Sequence, residues 1–187
     1  MSNQNPTVGL MYFSPTGTTR RVCEEVASSI SETSPVRIDL TKPRIPEILS
    51  LKTVDLWVVG VPVYASRMPS LAHERINLVL SCVPKHTSAI AIAVYGNVDA
   101  GVALKQLIAL LSKKGLNVVG AGEFVGQHYF KQFHGLTAEG SLDRPNREDL
   151  AIARELGTSV LKKGLDSQEM TSLTAVQSAA RALKASR

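Results

Sequence analysis

Val8-Gly9-Leu10-Met11-Tyr12-Phe13 leads without a break into Ser14-Pro15-Thr16-Gly17-Thr18-Thr19, and a helical pattern begins near Thr18. This stretch decides the fold. An apolar run, a short hydroxyl-rich loop with one glycine, and a helix start make a strand–loop–helix unit with an anion seat at its turn. The first N–H groups of a helix have no partners inside it, and its dipole favours negative charge there. The hydroxyls of Ser14, Thr16, Thr18 and Thr19 can donate to phosphate oxygens without adding charge, and Gly17 lets the backbone come close. An ordinary helix cap would need one or two of these hydroxyls, and four is more than a cap uses.

Outward from that unit, apolar runs and helical patterns alternate. Runs near 7–13, 36–40, 54–61, 88–95 and 117–125 read as strands, several of them almost pure Val, Ile, Leu and Ala. Such runs suit parallel strands covered on both faces. Helical patterns fall near 18–31, 69–81, 100–114 and 147–163. Gly115 is a stop after Lys113-Lys114, and Asn146 is a cap for the last helix. The stretch 43–51 is a candidate short helix weakened by Pro43 and Pro46. The pattern predicts an α/β fold, an open doubly wound five-stranded parallel sheet in the order 2-1-3-4-5. Ligands of such sheets bind beyond the C-terminal strand ends, where the strand order reverses.

Composition sets the bounds. The 187 residues suffice for one core, assigned to residues 1–165, with a tail over 166–187 rich in Ser, Ala and Thr. In the tail Met170, Leu173, Val176, Ala180 and Leu183 recur at helical spacing. No apolar run reaches the ~20 residues of a membrane span, and Met1 to Pro6 lacks a signal-peptide core, so a cytoplasmic protein is expected. Cys23 and Cys82 offer no metal or iron–sulfur spacing. The net charge is +5, which favours acidic surfaces or phosphorylated ligands. The basic residues are scattered and no nucleic-acid-binding signature is present, so nucleic acid is not expected as a partner.

The loops after the third and fourth strands carry the chemistry that the topology calls for. Pro62-Val63-Tyr64-Ala65-Ser66-Arg67-Met68 offers an aromatic, a soft apolar residue and a cation between two prolines. Tyr95-Gly96-Asn97-Val98-Asp99 offers a second aromatic beside a glycine. Two such loops can hold a planar heterocycle while the first loop anchors a phosphate, a shape that FMN has. Taken singly, Tyr64 and Tyr95 also read as rim residues, and Arg67 as a solvated charge. His128 and His134 read better as polar loop residues than as proton donors.

The chain resembles a flavodoxin-fold protein. Ser14-Pro15-Thr16-Gly17-Thr18-Thr19 matches that family's hydroxyl-x-Thr-Gly-x-Thr loop at every specified position. The segments Gly60-Val61-Pro62-Val63-Tyr64-Ala65, Tyr95-Gly96-Asn97 and Gly126-Gln127-His128, followed by Arg144-Pro145, resemble the flavodoxin half of flavodoxin–ferredoxin fusion proteins. The likeness runs from about residue 7 to residue 160. It implies non-covalent FMN, with the phosphate on residues 14–19 and the ring between the loops at 62–68 and 95–99. The candidate binding set is Ser14, Thr16, Gly17, Thr18, Thr19, Pro62, Val63, Tyr64, Ala65, Ser66, Arg67, Tyr95, Gly96, Asn97, Asp99 and His128.

Two departures matter. The cysteine-rich iron–sulfur repeats of the fusion proteins do not occur here, so electrons would come from a separate redox partner, an acidic or iron–sulfur protein being the expected kind. Typical flavodoxins are acidic, whereas this chain is basic. An FMN-dependent electron carrier is the leading expectation. An NAD(P)H-dependent flavin or quinone reductase, and a non-redox phosphate-ligand or interaction module on the same fold, are the alternatives. The oligomeric state is left open.

Overall fold

A computed structural model describes residues 5–43, 51, 53–96, 99–127, 141, 143–167 and 169–174. Six strands are present: β1 (Val8–Tyr12), β2 (Val36–Asp39), β3 (Leu56–Pro62), β4 (Ser88–Tyr95), β5 (Asn117–Val125) and β6 (Thr171–Thr174). All pair in parallel, in the order β2-β1-β3-β4-β5-β6. The helices are α1 (Thr18–Ser28), α2 (Ser70–Val79), α3 (Ala103–Lys113) and α4 (Arg147–Lys163).

The central strands are buried on both faces, and this is why they read as continuous apolar runs. Alternate residues serve opposite layers. Met11, Trp57, Val59, Ala89 and Ala91 meet Ala72, Ile76, Leu107 and Leu111 of α2 and α3. Leu10, Leu56, Val58, Ile90 and Ile92 meet Val22, Val26, Ala153, Leu156 and Val160 of α1 and α4. Each fully buried Leu or Ile contributes about 1.5–3 kcal/mol relative to exposure.

Two features fix the end of the sheet that matters for function. First, the strand ends are aligned: Tyr12 is level with Gly60, Pro62 with Val94, and Tyr95 with Val125. The loops leaving β1, β3, β4 and β5 therefore rise from one edge. Second, α1 lies hard against β3, because a Cβ at Gly60 would overlap Cys23 and come within 2.9 Å of the Thr19 methyl. That contact sets the height of the first turn of α1 above the sheet. Burial also pushes the Cys23 thiol far up, so it is an inert packing residue.

The sheet has one strand more than the sequence pattern predicts. β6 lies inside the stretch 166–187 that reads as a tail with helical spacing, and Thr171–Thr174 is extended, paired to Gly120–Glu123 of β5. Helical spacing in Met170 and Leu173 is outweighed there by an open sheet edge and a β-branched, hydroxyl-rich run. The candidate helix at 43–51 falls almost wholly outside the described residues. No helix among the described residues is long and apolar enough to cross a membrane.

Candidate functional site

The connection from β1 to α1 is folded by its own polar groups. Ser14 N–H donates to Thr41 Oγ1 (2.8 Å), Gly17 N–H to the Ser14 carbonyl (3.2 Å), and Arg20 N–H to Ser14 Oγ (3.0 Å). Gly17 is the N-cap residue, at φ +83°, and has no side chain to offer, so among the described residues the one first-turn amide held by a side chain is that of Arg20, on Ser14 Oγ. Only glycine takes that conformation freely. Thr16 Oγ1 and Thr18 Oγ1 share a hydrogen bond of 3.1 Å, which brings the two hydroxyls together. Among the described residues the N–H groups of Thr16, Thr18 and Thr19 have no acceptor. Unsatisfied amides at a helix start, beside two hydrogen-bonded hydroxyls, make a seat for an anion. Thr19 itself is only 1% exposed, so it contributes to the loop by its amide while its methyl packs on Gly60.

The connection from β3 to α2 is built differently. Tyr64 and Arg67 exchange both backbone hydrogen bonds (2.9 and 3.0 Å), and Ala65 and Ser66 between them have φ +48° and +60°. This is a two-residue turn with both central residues left-handed, a conformation that costs non-glycine residues about 1–2 kcal/mol each. Its surroundings hold it in place. The Ser66 carbonyl accepts from Val102 N–H (2.9 Å), and Met68 N–H donates to Gln106 Oε1 (2.9 Å). Gly101, at φ +53°, passes so close that a Cβ would overlap Ser66. Tyr64 therefore stands on a fixed turn, 43% exposed, at the mouth of the strand ends.

The third wall comes from β4 and β5. Val63 N–H donates to the Val94 carbonyl (2.8 Å) and Gly126 N–H to the Tyr95 carbonyl (2.7 Å), so the chain stays paired past the strands. A Cβ at Gly126 would press on Val94 at 2.7 Å and touch Thr18 at 3.5 Å, which brings the end of β5 onto the first turn of α1. Between these walls lies a cleft of about 130 Å³ lined by Thr16, Thr18, Pro62, Val63, Tyr64, Val94, Tyr95, Gly96, Gly126 and Gln127. Burial pushes the hydroxyls of Tyr64 and Tyr95 upward, helped at Tyr95 by Glu123, so both rings face the cleft neutral.

Beyond Thr16, Thr18 and Gln127 the surface opens into a second cavity of about 390 Å³, where Arg20, Arg21, Asp143 and Arg144 complete the wall. Arg144 is clamped by a two-pronged bond to Asp149, which is 1% exposed and itself belongs to the capping box of Asn146 at the start of α4. A third cavity, about 520 Å³, lies between α2 and α3 and includes Arg67 and Met68.

Of the residues picked from the sequence, Thr16, Thr18, Pro62, Val63, Tyr64, Tyr95 and Gly96 line the cleft, and Gly17 lies beside it. Ser14 supports the loop from within. Ala65 and Ser66 shape the turn, Arg67 faces the groove between α2 and α3, and Asp99 is exposed outside the cleft. Asn97, His128 and His134 lie outside the described residues. Gly126 and Gln127 line the cleft although sequence reasoning left them out of the site. A glycine at the end of an apolar strand was the available signal. No group of His, Cys, Asp and Glu among the described residues could hold a metal ion.

No protein-family description and no curated sequence matches this chain. Solved structures do. A flavodoxin from the domain Archaea superposes with a TM-score of 0.63 at 17% identity, over 84% of this chain and 97% of that one. Oxidised flavodoxin 1 from Bacillus cereus gives 0.59 at 18%, over 83% and 97%. Rubredoxin oxygen:oxidoreductase from Desulfovibrio gigas gives 0.59 at 13%, over 85% of this chain and 36% of that one. At such identities the likeness establishes the fold, which is flavodoxin-like.

Proposed function

We propose that this chain binds FMN without a covalent bond and acts as an electron-transfer protein. The observation that carries the reading is one arrangement. Three unpartnered amides and two hydrogen-bonded hydroxyls stand at one end of a cleft, and Tyr64 and Tyr95 stand at the other. The amides of Thr16, Thr18 and Thr19 would take the phosphate, with the hydroxyls of Thr16 and Thr18 completing its shell. Pro62, Val63, Tyr64, Tyr95 and Gly96 would hold the ring edge and exclude water from it. FMN supplies the transfer of one or two electrons, chemistry that no side chain offers.

The residues around the cleft are suited to binding rather than to proton chemistry. Its described titratable side chains are the two tyrosines, both held neutral by burial. The turn at Tyr64–Arg67, held by Val102 and Gln106, fixes one wall. Electron transfer needs only close approach of a partner, and the exposed side of Tyr64 leaves room for it. The neighbours named as flavodoxins support the reading at the level of the fold.

An absorption spectrum of the purified protein before and after adding FMN tests the proposal. A flavin band that stays with the protein through desalting is expected. Adding NADH and NADPH to the loaded protein then separates carrier from reductase, since a carrier oxidises neither at an appreciable rate. A protein that stays colourless after FMN addition would leave the non-redox reading in its place.

A further inference from the structure

The cavity beside the cleft carries cationic side chains that a phosphate seat made of amides and hydroxyls does not itself include. Its wall holds three guanidinium groups, those of Arg20, Arg21 and Arg144, and one carboxylate, Asp143. These groups are not equally engaged. Arg144 is neutralised by its fork on Asp149. Arg20 reaches Glu24 only at 3.9 Å, with both side chains well exposed, a contact of little strength. Among the described residues Arg21 has no acidic partner within salt-bridge distance. Gln127, whose backbone N–H donates to the Arg144 carbonyl at 2.9 Å, lines the same cavity.

The position of this cavity gives it meaning. It shares Thr16, Thr18 and Gln127 with the cleft, so the two spaces meet at the hydroxyl pair. A phosphate seated there has the ring cleft on one side and the arginines on the other. A single phosphate at the hydroxyl pair leaves part of this open cavity of about 390 Å³ unfilled. Arginine is the side chain best matched to phosphate oxygens, through its planar fork of donors.

We propose that this cavity accepts a second phosphate, that of a nucleotide diphosphate lying next to the loop phosphate. The second phosphate is either joined to the flavin, as in FAD, or carried by a separate nucleotide such as ADP. Arg21 is its principal contact and Arg20 its second. This inference rests on the flavin reading of the cleft.

The test is a set of titrations of apo-protein with riboflavin, FMN and FAD, followed by flavin fluorescence, and of FMN-loaded protein with ADP, followed by calorimetry. The same titrations are made on Arg21→Gln, an exposed position where the fold is not at stake. The expected result is that FAD binds at least as tightly as FMN, or that ADP binds the FMN-loaded protein. Whichever arm holds, Arg21→Gln weakens it about tenfold, the loss of one charge-assisted bond, while FMN affinity moves less than about threefold. The first arm means a joined diphosphate and the second a separate one. FMN binding with FAD at least tenfold weaker and no ADP binding overturns the inference and leaves the flavin reading intact. So does an Arg21→Gln effect equal on FMN and on the diphosphate. If none of the three flavins binds, both fall.

Discussion

The two loops that face each other across the cleft solve opposite problems. The β1–α1 loop is relaxed and open. Its one left-handed residue is a glycine, and three of its amides find no partner among the described residues. The β3–α2 turn is strained and closed. Two non-glycine residues sit at positive φ, and the backbone groups of Tyr64, Ser66, Arg67 and Met68 are spoken for by the turn itself, by Val102 or by Gln106. Open donors are what an anion needs, and a locked turn is what a flat ring needs to lie against. If the proposed FMN reading holds, the comparison assigns affinity to the first loop and positioning to the second.

The largest effect should come from filling the open loop with charge. Thr16→Asp together with Thr18→Asp places carboxylates against a phosphate dianion, where like charges cost several kcal/mol. FMN affinity measured by fluorescence should fall by more than about a hundredfold, while the melting temperature hardly changes because Thr16 is exposed and Thr18 only half-buried. A comparable loss of stability would mean that the loop is structural.

Next comes the lock on the closed turn. Gly101→Ala puts a methyl into Ser66 from a left-handed backbone, and should cost about 2–4 kcal/mol of stability in chemical denaturation. An unchanged midpoint would mean that the turn and the start of α3 are not held together as described. A smaller change of opposite sign is expected from Ser66→Gly. Relief of left-handed strain should add about 1 kcal/mol, read as roughly 2–4 °C in melting temperature.

The smallest effect concerns pH. Burial, and then Asp99, push the Glu123 carboxyl above the ordinary glutamate range, with Lys105 opposing. An acid whose pKa is raised by folding holds its proton longer in the folded state. Stability from this group is therefore full at low pH and is lost as pH rises from the ordinary value through the folded one. Glu123→Gln should remove that slope and raise the melting temperature slightly at neutral pH. A slope that survives the substitution would assign it to another group.

The sequence carried the open loop well and the closed turn poorly, for a physical reason. Ser14–Thr19 announces itself because its conformation needs a glycine and its ligand needs hydroxyls. Two-residue turns of the type at Tyr64–Arg67 are normally marked by Asn or Gly, and Ala65-Ser66 has neither. Its geometry is imposed from outside, by Gly101, Val102 and Gln106, far along the chain. The strand order followed from the parallel, doubly buried runs of β1, β3, β4 and β5. The sixth strand did not, because Thr171–Thr174 is short and polar and is extended by pairing with β5. Arg20 and Arg21 look like the solvated face of α1 until Arg144, from the opposite end of the chain, is brought beside them. Thr19 reads as a hydroxyl ligand in sequence, yet its side chain turns inward, because the helix must approach Gly60.

The most direct measurement is the affinity of the purified apo-protein for FMN against that for riboflavin, which differs only in lacking the phosphate. With three open amides and a pair of mutually hydrogen-bonded hydroxyls at the loop, FMN should bind at least about a hundredfold more tightly, the equivalent of two good charge-assisted bonds. Equal affinity for the two would contradict the assignment of the β1–α1 loop as the anchor.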